Sequence, residues 1–293
     1  MLDAVLQSSW ALRRMHTTSA PYHPGHRLGL IAALVLMAGC ANGTDRYLSI
    51  PDQPMLGARV PSGPLSAVLV TPDGLGPFPV VILLHGCNGV KPIQTLWADR
   101  LRSWGYAALL LDSFTARGGV NICADANQPL VTPQDRAGDV VSAALYLRTL
   151  PKIDGARIAV LGDSHGGSTA AWVTRVEYER LYPGLLVASV DYYGKCGNAA
   201  DHGSVPLLVL SGEADDWVPP ANCLAFGKQL KPNQPFEIHT YPGAVHMFDA
   251  PTLNALQMNE GHKMQYDYGA ASHSIERVRT FLDHWVRGKS ASE

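Results

Sequence analysis

Several protein classes are excluded by what this sequence lacks. No block of lysine and arginine runs through it and its formal net charge is only -2, so it carries no electrostatic footprint for nucleic acid or for an acidic surface. No segment repeats at a fixed period and no tract is of low complexity, which argues against a solenoid or propeller array. No apolar run reaches the length that spans a bilayer comfortably. Cysteine is scarce, with five residues, and none has the spacing of a zinc-finger pair. What is left is ordinary globular material, 46% hydrophobic and 16% charged over 293 residues. That is enough for one large α/β domain or two small ones.

The N-terminus is a separate object. Arg13, Arg14 and Arg27 precede the apolar run Leu28–Ala38, which stops at Gly39-Cys40. Charge, then a short apolar stretch, then small residues is the order of an export signal. The end Leu36-Met37-Ala38-Gly39-Cys40 resembles a bacterial lipobox, with methionine where leucine is usual. The resemblance implies removal of residues 1–39 and a lipid on Cys40, the one route by which this chain would meet a membrane. Ordinary signal cleavage and secretion is the alternative, and Met15 is a second candidate start. Localisation is then the bacterial periplasm or outer membrane. Residues 40–64, with scattered Pro, Gly and Asp, read as a tether and irregular lead-in to a domain over 65–288.

Export changes the reading of the other four cysteines, Cys87, Cys123, Cys196 and Cys223. An even number in an oxidising compartment favours disulfides. Of the three pairings, Cys87–Cys123 and Cys196–Cys223 each join neighbouring loops on one edge of the domain.

Along the body, Leu65–Val70, Pro79–Leu84, Tyr106–Leu111, Ile158–Leu161, Leu185–Val190, Val205–Leu210 and Phe236–Tyr241 read as strands. Several are continuous apolar runs, which suits a parallel sheet covered on both faces. Between them fall helical spacings. Pro92 to Trp104 is followed by Gly105; Thr132-Pro133, an N-cap with proline in the first turn, opens a helix to Leu150; Pro219 to Leu230 is a third. Ala270 to Trp285 closes the chain, with Ile275, Val278, Phe281, Leu282 and Trp285 expected to face the sheet. Strands alternating with helices imply a doubly wound, mostly parallel sheet in a single domain, with ligands gathering outside the carboxyl ends of its strands.

At one such end lies Gly162-Asp163-Ser164-His165-Gly166. Strand, sharp turn and helix meet there, a geometry that pushes a serine hydroxyl out beyond the sheet while glycines let strand and helix approach. Ser164 is therefore the candidate nucleophile. Serine needs a base to take its proton, and the base needs an acid to fix its tautomer. The strand Val205–Leu210 runs into Ser211-Gly212-Glu213-Ala214-Asp215-Asp216, placing carboxylates past its end; Phe236–Tyr241 runs into Pro242-Gly243-Ala244-Val245-His246. His246 is the base, since His239 lies within a strand and His262 follows no strand in this reading. Asp215 is the acid, with Asp216 as the alternative. An oxyanion needs preorganised donors, and the backbone N–H groups of Cys87 and His165 occupy the right loops. His85 reads as a residue that stabilises the Gly86-Cys87-Asn88-Gly89 loop. No metal or organic cofactor is called for.

Taken together, Leu84-His85-Gly86-Cys87-Asn88-Gly89, Gly162-Asp163-Ser164-His165-Gly166, Gly212-Glu213-Ala214-Asp215-Asp216-Trp217-Val218-Pro219 and Tyr241-Pro242-Gly243-Ala244-Val245-His246 resemble the dienelactone hydrolase family of α/β-hydrolases, from about Leu65 to Trp285. The resemblance implies that fold, and it selects as the acid the aspartate three residues after the glycine, Asp215. The family's namesakes use a cysteine nucleophile and hold a substrate carboxylate with arginines. Here Ser164 stands in the nucleophile position and Arg117, the nearest candidate arginine, reads as a surface residue. A serine esterase or lactonase acting on a small ester through an acyl-enzyme is the expected activity. A peptidase of the same fold and a non-catalytic envelope lipoprotein are the competing readings. Pocket shape is expected from the loops 116–131 and 198–204.

Overall fold

The computed structural model describes residues 45–52, 61, 63–119, 121–125 and 131–288, all within the unit Cys40–Glu293. The export segment and the Cys40 lipid site lie outside the described residues. The main sheet contains β1 (Asp45–Ile50), β2 (Leu65–Val70), β3 (Phe78–Leu84), β4 (Ala107–Asp112), β5 (Ile153–Asp163), β6 (Ala188–Tyr192), β7 (Leu207–Gly212) and β8 (Phe236–Tyr241). Their order is β1-β2-β4-β3-β5-β6-β7-β8. Strands β1 and β2 are antiparallel to their neighbours, and every pairing from β4 to β8 is parallel. This is the α/β-hydrolase arrangement, mostly parallel and doubly wound.

The continuous apolar runs become central strands because they must satisfy two faces at once. In β3, Val81 and Leu83 pack into one layer with Ile93, Trp97 and Leu101 of α1 (Pro92–Ser103) and Val278, Phe281 and Leu282 of α6 (Tyr268–Arg287). The alternate residues Val80, Ile82 and Leu84 pack on the other side with Val140, Val141, Ala144 and Leu147 of α2 (Pro133–Leu147) and Ala170 of α3 (His165–Trp172). Burying each such side chain contributes about 1.5–3 kcal/mol. The short α4 (Val176–Leu181) follows. The helix α5 (Ala221–Gln229) covers β7 through Cys223 and Phe226, which pack with Leu207 and Val209. A separate hairpin, β9 (Gln257–Asn259) and β10 (His262–Met264), is antiparallel and turns on Glu260 and Gly261, both at positive φ, as a two-residue hairpin turn requires. Among the described residues no helix is long and apolar enough to cross a membrane.

Two expectations need correction. Part of the supposed lead-in is the edge strand β1, paired with β2 from Asp45↔Val70 to Ile50↔Leu65. Only Leu48 and Ile50 of it are buried, so its alternation is too short to register beside Pro51. Trp285 does not face the sheet: it is 37% exposed, while the neighbouring Val286 is buried. The buried stripe of α6 runs through Ala271, Ser274, Val278, Leu282 and Val286, an i, i+3, i+4 pattern with Trp285 at its margin.

The start of α2 matches its sequence signal. Thr132 caps the helix: its hydroxyl oxygen accepts from the Asp135 N–H at 3.2 Å, and Asp135 Oδ2 accepts from the Thr132 N–H at 2.8 Å. Thr132→Ala should therefore lower the unfolding free energy by about 1 kcal/mol, read as a shift of the urea midpoint at constant slope. An unshifted midpoint would remove the cap from the account.

Candidate active site

Three strand ends and the start of α3 build the site. Ser164 sits between β5 and α3 at φ 54, ψ -115, a strained conformation costing of order 1–3 kcal/mol. It is held there by its neighbours. Its N–H donates to the carbonyl of Tyr192 at 2.8 Å. Gly162 and Gly166 are obligatory, because a Cβ on Gly162 would strike the Gly166 carbonyl and one on Gly166 would strike the carbonyl of Leu84.

The structure brings the three sequence-predicted side chains together. Ser164 Oγ lies 2.9 Å from His246 Nε2, and His246 Nδ1 lies 2.7 Å from Asp215 Oδ2. Asp215 and His246 are buried, 3% and 1% exposed. The second carboxylate oxygen, Asp215 Oδ1, accepts from the N–H groups of Trp217 and Val218 at 2.9 and 2.8 Å. Those bonds fix the carboxylate and leave Oδ2 free for the imidazole N–H, so Nε2 is the ring nitrogen that accepts from serine. Asp216 points elsewhere: its Oδ1 accepts from the Lys263 N–H at 3.1 Å and lies 3.6 Å from His262 Nδ1, tying down the β9–β10 hairpin. One step along the chain past a strand end separates the two carboxylates.

Cys87 and His165 both line the cavity that contains Ser164. His165 is the first residue of α3, where a backbone N–H has no intrahelical acceptor. Its Nδ1 accepts from Arg136 Nη1 at 2.9 Å. Burial and the Arg136 charge push its pKa down to about 3. His85 is likewise buried, and lowered to about 3 by desolvation and then Arg136. Its Nε2 accepts from the Ser113 N–H at 3.2 Å while Nδ1–H donates to the Gly86 carbonyl at 2.8 Å. It props the loop, as its position suggested. Disulfides join Cys87 to Cys123 and Cys196 to Cys223, the expected pairs. Arg117 is no surface residue: it forms a buried two-pronged pair with Asp139, both bonds at 2.8 Å, and so is committed within the fold.

Sequence reasoning missed the polar floor beneath the site. Asp249, buried, accepts from Tyr193 Oη at 2.6 Å and Trp97 Nε1 at 3.1 Å, and the Tyr193 ring stands edge-on to His246 at 4.8 Å. Asp163, also buried, accepts from Gln94 Nε2 at 2.5 Å. Burial, with the nearby Asp249 charge, raises its pKa to about 7. The one available signal was an aspartate closing an otherwise apolar strand. His262 was passed over too. It opens β10, stacks on Trp217 with ring centroids 4.9 Å apart, and lines the Ser164 cavity. Of the two loops expected to shape that cavity, the first contributes Ile122 and Cys123, and in place of residues 198–204 of the second the preceding Lys195, Cys196 and Gly197 line it. Among the described residues one cluster, Asp191, Cys196 and Cys223, has ligand atoms close enough for a metal. Its two sulfurs are spent in a disulfide, so it offers no thiolate pair.

Residues 65–286 match the model of the dienelactone hydrolase family. A dienelactone hydrolase from Anabaena variabilis superposes with TM-score 0.61 at 20% identity, covering 84% of this chain and 100% of that one. A dienelactone hydrolase-like promiscuous phosphotriesterase from metagenomic libraries gives TM-score 0.63 at 21% identity, covering 83% and 99%. Dipeptidyl peptidase 4 of Porphyromonas gingivalis gives 0.58 at 20%, over 82% of this chain but only 35% of that one. At these identities the structural likeness is one of fold.

Asp191 supplies a test of the buried floor. Burial raises its pKa to about 7, although Oδ1 accepts from the Gly194 N–H at 2.7 Å. A carboxyl whose folded pKa lies above its unfolded one contributes stability while protonated, and that contribution is lost as pH climbs from the unfolded toward the folded value. Between about pH 5 and about pH 8 the wild type should lose urea stability relative to Asp191→Asn. His85 and His165 act with the opposite sign but are common to both proteins. Parallel stability curves would refute the assignment.

Proposed function

Since the chain belongs to the dienelactone hydrolase family and is a hydrolase of that fold, we propose that it is a serine-dependent carboxylic ester hydrolase, taking esters or lactones through an acyl-enzyme. The observation that carries this reading is the continuous chain of contacts from Ser164 Oγ through His246 to Asp215, at 2.9 and 2.7 Å. Ser164 Oγ attacks the carbonyl carbon as its proton passes to His246 Nε2. Asp215 holds the ring by its Nδ1–H and stabilises the imidazolium that results. The tetrahedral oxyanion takes hydrogen bonds from the Cys87 and His165 backbone N–H groups. As the carbon–oxygen bond to the leaving group breaks, Nε2–H gives its proton to the departing alkoxide. Water, deprotonated by the same nitrogen, then releases the acid and restores the serine. Every step is served by a group of this chain, and the reading invokes no cofactor.

We further propose that the protein is exported, carried to the periplasm and held at the membrane by a lipid on Cys40. The two disulfides support it, because such bonds persist in oxidising compartments. Cys40→Ser should abolish incorporation of labelled palmitate and release the protein from the membrane fraction. Unchanged labelling would remove the anchor from the proposal and leave the enzyme reading intact.

Activity should be lost where the relay is cut. Asp215→Asn keeps the shape but removes the charge that fixes the imidazole, and should lower kcat by about 10⁴-fold. A fluorophosphonate probe should label Ser164 in the wild type, as peptide mapping reads out, which a non-catalytic lipoprotein on this fold would not allow. kcat/KM should rise with pH through an ionisation that persists in Asp163→Asn, whose replaced carboxyl otherwise titrates at about 7. His85 and His165, neutral down to about 3, cannot supply it. A flat profile would count against His246 as base.

A further inference from the structure

Ser164 stands at a junction. On one side opens a cavity of about 430 Å³ with apolar walls including Ile122, Trp172 and Val218. On the other, beyond the loop that carries Cys87, lies a second cavity of about 340 Å³, bounded by Ile93, Leu253 and three methionines, Met247, Met258 and Met264, together with the polar Lys91, Thr252 and Gln257. A constriction of about 10 Å³ lies between them, on the scale of one water, so Met247 and Met264, whose flexible side chains line it, must swing aside to admit an alkyl group. It shares Cys87, Ser164 and Trp217 with the first cavity, and Asn88, Met247, Asn259 and Met264 with the second.

The sides are not equivalent. The larger cavity is lined by both residues assigned to hold the oxyanion, Cys87 and His165. His246 is absent from its wall and lines the constriction instead. The imidazole must protonate the departing oxygen, so that oxygen has to lie within reach of Nε2. The acyl carbonyl, by contrast, has to point at the oxyanion donors. Chemistry thus sorts the substrate: acyl group into the larger cavity, alcohol portion through the constriction.

We propose that the methionine-lined cavity is the alcohol subsite, and that the preferred substrate is an acyclic ester with an extended apolar alcohol. This deepens the esterase reading and rests on it. A lactone keeps its leaving oxygen tethered to its acyl carbon and has no separate group to place in the second cavity. Methionine is unbranched and readily reshaped, which suits alkyl or arylalkyl groups of varied outline.

The test uses full-length protein and two esters, hexyl acetate and methyl hexanoate, whose long arms lie on opposite sides of the scissile bond. Met258 is 59% exposed, on β9, so it tolerates substitution. Met258→Trp should lower kcat/KM for hexyl acetate by about tenfold or more and leave methyl hexanoate within about twofold. In the acyl cavity, a Cβ at Gly197 meets nothing within 4 Å, and Gly197→Phe should give the reverse pattern. Met258→Ala, which cannot overfill the site, should speed hydrolysis of the branched 2-ethylhexyl acetate while sparing methyl hexanoate. Equal losses on both esters, or no response of hexyl acetate to Met258→Trp with none of 2-ethylhexyl acetate to Met258→Ala, would overturn the alcohol subsite. Wild-type protein that hydrolyses neither ester and resists fluorophosphonate would instead overturn the esterase reading, and the subsite with it.

Discussion

The backbone of Ser164 is the constraint on which the rest of the site depends. A side chain at φ 54 stays there only if its surroundings leave no alternative, and here the alternatives are closed by contact. The ends of β3 and β5 come so near the start of α3 that Gly162 and Gly166 have no room for a Cβ, and the Ser164 N–H is anchored to the end of β6 at 2.8 Å. The register of three parallel strands thereby becomes the position of one hydroxyl. Four non-glycine residues among those described have positive φ. Besides Ser164 they include Tyr193, whose ring flanks His246, and Met247, the residue after it. Backbone strain is thus concentrated where the geometry of serine and imidazole is set.

Beneath that arrangement lies a layer of polar groups that a hydrophobic core would ordinarily exclude. Asp249 receives Tyr193 and Trp97, Asp163 receives Gln94, and Asp191 receives the Gly194 N–H. The partners of Asp249 lie on α1 and on the loop after β6, so the loop that carries His246 is tied to both, while Asp191 Oδ2 is buried without a hydrogen-bond partner. Burying a carboxyl without such partners would cost several kcal/mol. With them the layer holds its shape, and Asp163 and Asp191 respond by keeping their protons up to about pH 7. The disulfides add fixed points on the rim. Cys123 holds the loop bearing the Cys87 N–H, and Cys223 holds the loop from Lys195 to Gly197.

Most of the sheet could be read from the chain because its central strands are apolar on both faces and end in turn residues. The strand β1 could not, since just Leu48 and Ile50 mark it. The residues around Ser164 were legible for a related reason: a chemistry-bearing side chain just past a strand end has only one rim to occupy. Spacing alone did not separate Asp215 from Asp216, because the choice turns on which way one peptide unit rotates. Nor did it find Asp249, Tyr193 or Gln94, whose contacts join positions more than fifty residues apart. Arg117 and His262 were misplaced by the same limit. One is paired with Asp139 inside the fold; the other reaches the cavity on a hairpin too short to show a strand pattern.

The proposed relay requires Ser164 and His246 to act as a single unit rather than as two independent contributors. Measuring kcat/KM for Ser164→Ala, His246→Ala and the double variant tests this directly, since groups that share one step fail together. The double variant is predicted to keep the same residual rate as either single one. Losses that multiply in the double variant would mean that the two side chains act separately, and would contradict the relay.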